Sequence, residues 1–311
     1  MTGWYRWVVR AVAVAGLAVV AWALATGWGA VVHGHPAYLL LLAATAAGCA
    51  AALLRTRRDR PSRSAWRQAL QIVGLVAAAC WIALMAWLRP FTAVEPALTA
   101  METDSTVTVS EYPTQIVLAP SGAGTGTGVF FQPGAKVDAR AYAAILRPLA
   151  EAGHTVVIAK QPLGIGFLAL PAFDPVADAH QEVSRWVVGG HSLGGTVAAI
   201  QAETGQDRTP SPVTGLLLYA SYPASDLSDS LTTRVLSISA SNDTLASPDK
   251  ITSSKADLPN TATFTFIDGA VHAFFGDYGS QPGDGTPTIS HDEARIAISQ
   301  DTRQFVDALT P

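Results

Sequence analysis

The stretch Trp186-Val187-Val188-Gly189-Gly190-His191-Ser192-Leu193-Gly194-Gly195 decides how this chain is read. Trp186–Gly190 is apolar and β-prone, and Leu193–Thr204 carries the pattern of a helix. Between them stands G-x-S-x-G. A strand that passes straight into a helix through so short a turn holds the central serine at the tip of a strained loop. Side chains two residues before and after Ser192 would run into neighbouring backbone, which accounts for Gly190 and Gly194. Gly195 lets the helix lie close to the strand. The chain has 26 glycines in 311 residues, enough to produce such a pattern by chance, so the surroundings carry the argument.

Outward from Ser192, short β-rich runs alternate with helical ones from about Thr106 to the end. The expected strands are Thr106–Val109, Thr114–Leu118, Gly128–Gln132, Thr155–Lys160, Trp186–Gly190, Gly215–Ala220, Arg234–Ala240 and Thr261–Asp268. The expected helices are Asp138–Ala152, roughly Val176–Arg185, Leu193–Thr204 and Asp292–Leu309. Asp138 suits an N-cap and Gly153 a helix end. Pro148 is expected to kink or split its helix. Ser290 with Glu293 makes a capping box. Runs such as Val156-Val157-Ile158-Ala159 suit strands covered on both faces. The prediction is an α/β layer fold over residues 106–311.

A serine hydroxyl is a poor nucleophile until a base takes its proton. Behind a nucleophile elbow the partners follow in the order Ser…Asp/Glu…His. Asp243 comes just after the strand Arg234–Ala240, and His272 just after Thr261–Asp268. Both loops fall at carboxyl ends of strands, where open α/β sheets place their sites. Asp226, Asp249 and Asp268 are rivals for the acid, and Asp249 suits an N-cap instead. His154 and His180 precede the serine and read as ordinary helix-end and helix residues. His191 is expected to point away from Ser192, and His291 opens the last helix. An oxyanion hole needs two N–H groups aimed at developing charge. Leu193 N–H is one candidate. Ala135 N–H, in Pro133-Gly134-Ala135-Lys136, is the other, with Lys136 solvated. The stretch Ser121–Gly128 matches neither GxGxxG nor a phosphate-binding GK[ST] loop, and reads as a hairpin loop.

The first 90 residues are of another kind. They hold nine Arg against Asp59, a net of +8, while residues 91–311 hold eleven Lys+Arg against twenty-three acids, a net of −12. Charged residues are 14% of the chain, against about 25% in soluble domains. Three apolar stretches, 11–32, 37–54 and 69–88, are each long enough for a transmembrane helix. Trp4, Tyr5, Trp7, Trp28, Tyr38, Trp66 and Trp87 mark their ends. Arg55, Arg57, Arg58, Arg60, Arg63 and Arg67 between the second and third predict a cytoplasmic loop. That puts the N-terminus inside and the C-terminal two thirds outside. Residues 91–105 read as linker. Cys49 and Cys80 both lie within the spans, so the outer domain has neither disulfides nor cysteine ligands. The basic part is too apolar for a nucleic-acid arm, and the acidic part would repel phosphates, so no nucleic-acid partner is expected.

The elbow Gly190–Gly195, the turn Pro133–Asp138 with Tyr142, Asn242-Asp243, and His272-Ala273-Phe274-Phe275-Gly276-Asp277-Tyr278-Gly279 resemble a group of small bacterial α/β-hydrolases. The resemblance covers about residues 106–311 and leaves out the three spans. Members of that group often carry a polar residue where Phe274 stands, a departure that bears on the pocket and not on the triad. The resemblance implies a serine hydrolase acting on carboxylic esters or similar acyl compounds, with Ser192 as nucleophile, His272 as base and Asp243 as its orienting acid. It implies no metal or organic cofactor. Lids in this fold follow the strand placed at Gly215–Ala220, where only Ser221–Thr233 is available, so an open site with little or no cap is expected. The expected partners are an ester, lipid-like in character, and the bilayer. The same triad would also serve a thioesterase or an amidase. From another class, a silent binding or receptor protein on the same fold is the rival.

Overall fold

The structure, a computed structural model, describes residues 3–56 and 65–310. Arg57, Arg58, Arg60 and Arg63 lie outside the described residues. The chain divides into two compact units, one ending at Pro90 and one beginning at Phe91.

The first unit is three helices: α1 (Gly3–His33), α2 (Pro36–Arg55) and α3 (Ala65–Trp87). All three are long and apolar enough to cross a membrane. They enclose or closely match the expected apolar stretches, and Leu88 alone falls past the end of α3. Pro36 opens α2, where a missing N–H costs nothing, and the His35 ring accepts from Ala37 N. Small residues bring the helices together: a Cβ on Gly16 would lie 2.5 Å from Cys49 Sγ. Polar side chains are satisfied between helices, with Trp81 Nε1 donating to Thr45 Oγ1 at 2.8 Å and Tyr38 OH to the Met85 carbonyl at 2.8 Å.

The second unit is an eight-stranded sheet. Its strands are β1 (Val107–Glu111), β2 (Gln115–Pro120), β3 (Thr127–Gln132), β4 (Thr155–Ala159), β5 (Arg185–His191), β6 (Val213–Tyr219), β7 (Arg234–Ala240) and β8 (Thr263–Ile267). Each matches an expected strand to within a few residues. The order is β1-β2-β4-β3-β5-β6-β7-β8. β1 and β2 form an antiparallel hairpin, β2 is antiparallel to β4, and all other pairs are parallel. The helices are α4 (Ala143–Glu151), α5 (Phe173–Ala179), α6 (Leu193–Gly205), α7 (Pro248–Ser253) and α8 (His291–Asp307).

Two cores form because strand side chains alternate between faces. On one face Phe131, Val187, Leu217 and Ile238 pack with Leu146, Leu149, Ile298 and Val306 of α4 and α8. On the other, Phe130, Val188, Leu216 and Leu218 pack with Val176 and Ala198 of α5 and α6. This is the fold class the alternation predicts.

Four expectations change. The helix expected over 138–152 does split, but at Tyr142 rather than Pro148. A 3-10 turn, Ala139–Tyr142, precedes α4, and Pro148 stays inside α4. Asp138 caps that turn, accepting from Arg140 N. The helix expected to run to Arg185 is only α5, because the chain leaves helical backbone at His180 and Arg185 opens β5. Asp249 lies exposed in the first turn of α7 behind Ser247, not at the N-cap. The stretch 91–105, expected as linker, is laid along the sheet unit. Phe91 N donates to the Lys136 carbonyl at 2.7 Å, Val94 N to that of Asp277 at 2.8 Å, and Ala93 and Ala97 are buried. Between β6 and β7, residues 221–233 form turns and bends without a helix.

Candidate active site

β5 ends in the elbow. Ser192 adopts φ 52° and ψ −124°, a left-handed conformation for a residue with a Cβ, and such backbone costs on the order of 1–3 kcal/mol. Its neighbours hold it there: Ser192 N donates to the Tyr219 carbonyl at 2.9 Å, and Ser221 Oγ donates to the Ser192 carbonyl at 2.6 Å. The glycines serve the close approach the sequence implied. A Cβ on Gly194 would sit 2.2 Å from the carbonyl oxygens of Gln132 and Pro133, and one on Gly195 would sit 2.5 Å from Ser221 Cβ. The start of α6 is thus pressed against the chain leaving β3.

Asp243 follows β7 and His272 follows β8. Both are buried. His272 Nδ1 and Asp243 Oδ2 are 2.7 Å apart. The other oxygen, Asp243 Oδ1, accepts from Leu245 N at 2.7 Å and Ala246 N at 2.8 Å. With both carboxylate oxygens engaged, the carboxylate fixes the proton on Nδ1 and leaves His272 Nε2 as the free basic nitrogen. His191, next to Ser192 in the chain, brings its ring centroid within 4.5 Å of the His272 ring.

The rivals go elsewhere. Asp226 is exposed and bonds Ser228, while Asp268 accepts from Ser241 Oγ. His154 sits at the amino end of β4, between Thr125 and Asp307. His180 pairs with Glu182. His291 stacks on Phe274 at 4.5 Å and lies 3.4 Å from Asp277. Burial pushes the Asp277 carboxyl up from its usual range, against the pull of Arg295 and His291, and burial pushes His291 down.

The two candidate oxyanion donors lie in the loops that Gly194 presses together. Among the described residues no backbone carbonyl takes the Leu193 or the Ala135 N–H. The 133–136 turn is held from several sides. Gly134 N donates to Tyr142 OH at 2.8 Å, Gln161 Nε2 to the Pro133 carbonyl at 2.9 Å, and Lys136 N to that of Gly164 at 2.7 Å.

Sequence reasoning passed over Asp284. Its carboxylate accepts from His272 N at 3.2 Å and Ala273 N at 2.8 Å, and so shapes the histidine loop. The Asp284-Gly285 dipeptide marks a turn, which was the available signal. Gly285 is required there, since a Cβ would sit 1.8 Å from the Asn242 carbonyl oxygen.

Among solved structures, an esterase from Pyrobaculum calidifontis aligns at 18% identity. The alignment covers 70% of this chain and 91% of that one, with a TM-score of 0.51. Dienelactone hydrolase from Anabaena variabilis aligns at 17% identity over 65% of this chain and 98% of that one, with a TM-score of 0.50. At such identities these likenesses speak for the fold. No curated protein matches the chain. The sequence pattern of the alpha/beta hydrolase family matches residues 128–296, just over half of the chain, from β3 into α8. The chain belongs to the alpha/beta hydrolase family.

Proposed function

We propose that this protein is a membrane-anchored serine hydrolase that cleaves carboxylic esters through Ser192, His272 and Asp243. The observation that carries the reading is the 2.7 Å contact between His272 Nδ1 and a doubly bonded, buried Asp243 carboxylate. It stands at the carboxyl edge of the sheet where the strained Ser192 leaves β5.

In this reading His272 Nε2 takes the Ser192 proton as Oγ attacks the ester carbonyl. Asp243 keeps the imidazole in the required tautomer and stabilises its charged form. The N–H groups of Leu193 and Ala135 receive the oxyanion. The tetrahedral intermediate collapses as His272 returns its proton to the leaving alcohol. Water then repeats the sequence on the acyl-Ser192 ester, releasing acid and free serine. The bare 221–233 connection suits an open site. With the three apolar helices as anchor, it supports an ester of lipid-like character as substrate.

The test is hydrolysis of p-nitrophenyl butyrate by the full chain in detergent. Ser192→Ala is expected to lower kcat by ~10⁴-fold or more, with comparable losses in His272→Ala and Asp243→Asn. Equal rates in wild type and Ser192→Ala would sink the reading. The arginine-rich sequence between α2 and α3 supports a cytoplasmic loop there and a catalytic unit outside the cytoplasm. A phosphatase reporter fused after Pro311 is then expected to be active in intact cells, and a silent reporter would reverse the orientation.

A further inference from the structure

The elbow and the oxyanion turn are joined by a buried pair that the triad does not use. Tyr142, fully buried, reaches Gly134 N with its hydroxyl oxygen at 2.8 Å and His191 Nδ1 at 2.9 Å. A phenol has one proton to give and lone pairs to receive. The Gly134 N–H must be the donor at one contact. Because His191 Nδ1 is the one acceptor in reach of the buried phenol proton among the described residues, the phenol gives that proton to His191 Nδ1. That requires a neutral imidazole carrying its own proton on Nε2, facing His272. Burial pushes His191 well below the usual histidine range, and a charged His272 beside it would push the same way.

We propose that Tyr142 and His191 are positioning residues that hold the Gly134–Ala135 turn in place to receive the oxyanion. The inference rests on the serine-hydrolase reading above and deepens it. Gly134 N belongs to the peptide just before the one that carries the Ala135 N–H. A rotation about Gly134 that freed the first would swing the second. The other ties on this turn, from Gln161, Gly164 and Phe91, engage Pro133 and Lys136. Val137 N donates to the Gly134 carbonyl at 3.1 Å on the far side of the same residue, so the Tyr142 hydroxyl holds the Gly134 N–H side and Val137 the carbonyl side. Among the described residues the Tyr142 hydroxyl is the partner of Gly134 N. Space enforces the contact as well. A Cβ on Gly134 would lie 2.7 Å from His191 Nδ1 and 3.2 Å from Tyr142 OH. His191 is also the residue before Ser192, so one proton links the nucleophile's own turn to the turn that faces it.

A positioning role in the oxyanion hole acts on the transition state and leaves ground-state binding alone. The experiment compares kcat and KM for p-nitrophenyl butyrate, and inhibition by an alkyl trifluoromethyl ketone whose serine adduct carries an oxyanion. The full chain in detergent is used as wild type, Tyr142→Phe, His191→Phe and His191→Gln. Thr302→Val serves as control, since it removes a buried hydroxyl from α8 that bonds Tyr219. Tyr142→Phe is expected to lower kcat and ketone affinity together by about ten- to a hundredfold, with KM within about twofold. His191→Phe should do the same. His191→Gln, whose amide oxygen can accept the phenol proton, should recover most of the loss. A kcat for Tyr142→Phe equal to that of Thr302→Val, or a loss carried by KM, would overturn the positioning role. If Tyr142→Phe does not fold, His191→Gln against His191→Phe decides, and equal kcat values for these two would overturn it. Wild-type turnover that does not depend on Ser192 would bring down the hydrolase reading itself, and this inference with it.

Discussion

Gly190 has no room for a methyl group. A Cβ there would lie 2.4 Å from the carbonyl carbon and oxygen of Gly194 and 2.6 Å from Gly195 N, all of them backbone. Nothing at the end of a flexible side chain can give way, so the elbow itself must open. Gly190→Ala is expected to cost about 1–3 kcal/mol and to lower the melting temperature by several degrees, and the proposed ester hydrolysis should fall along with it. A variant that melts and turns over like wild type would show that the turn is looser than drawn. At this scale the sequence was most legible where a residue answers to local geometry. Gly190, Ser192 and Gly194 are explained by one turn, and that turn is written in adjacent positions. The Tyr142–His191 contact spans 49 residues of chain, and nothing near either residue marks it. It exists because the fold brings the 3-10 turn before α4 against the end of β5. The tie from Asp284 to the His272 loop spans 11 and 12 residues, and there Asp284-Gly285 marked the turn but not its partner.

Elements were legible to the extent that their pattern is periodic. All eight strands follow from β-rich runs bounded by turn residues. The last helix follows from Ser290 and Glu293, and both arms of its capping box are formed: Ser290 Oγ accepts from Glu293 N at 3.2 Å and Glu293 Oε2 from Ser290 N at 2.8 Å. Ser290→Ala should therefore cost about 1 kcal/mol, read as a melting temperature lower by about 2–4 °C. An unchanged melt would mean that packing of Ala294, Ile298 and Phe305 holds α8 without its cap. Illegible elements were those with no period. Residues 162–172, Pro-Leu-Gly-Ile-Gly-Phe-Leu-Ala-Leu-Pro-Ala, form 3-10 turns, and their two prolines and two glycines interrupt any helical pattern. The 91–105 strap was illegible for a related reason. Its Ala93 is held by Asp138, 45 positions away, and by the core of the sheet unit, and not by a pattern of its own.

For the whole molecule, buried histidines set a direction for stability against pH. His191 and His291 are both held below the usual histidine range, chiefly by burial. The unfolded chain takes up protons near pH ~6.5 that the folded chain refuses. More protons bound by the unfolded state means that stability rises with pH through that window and falls on acidification below it. Melting temperature between about pH 7.5 and 5.5 should drop, and the drop should be shallower in His191→Gln. A parallel dependence in both proteins would remove His191 from the account. Asp277, pushed the other way by burial, acts in a lower window. The chain's net charge of −4 gave no hint of this, because it averages a basic helical unit with an acidic sheet unit.

The order of the sheet also bears on time. β3 has β4 and β5 as neighbours, and both are made after it. β2 pairs with β1 on one side and waits for β4 on the other. A ribosome that has reached Gln132 has therefore supplied one complete strand pair, the β1–β2 hairpin. Every parallel pair still lacks a partner. The centre of the sheet closes only when β4 slides between two strands that are already waiting. Along the chain, then, the three apolar helices come first, the hairpin at one edge of the sheet next, and the strand of the opposite edge, β8, last.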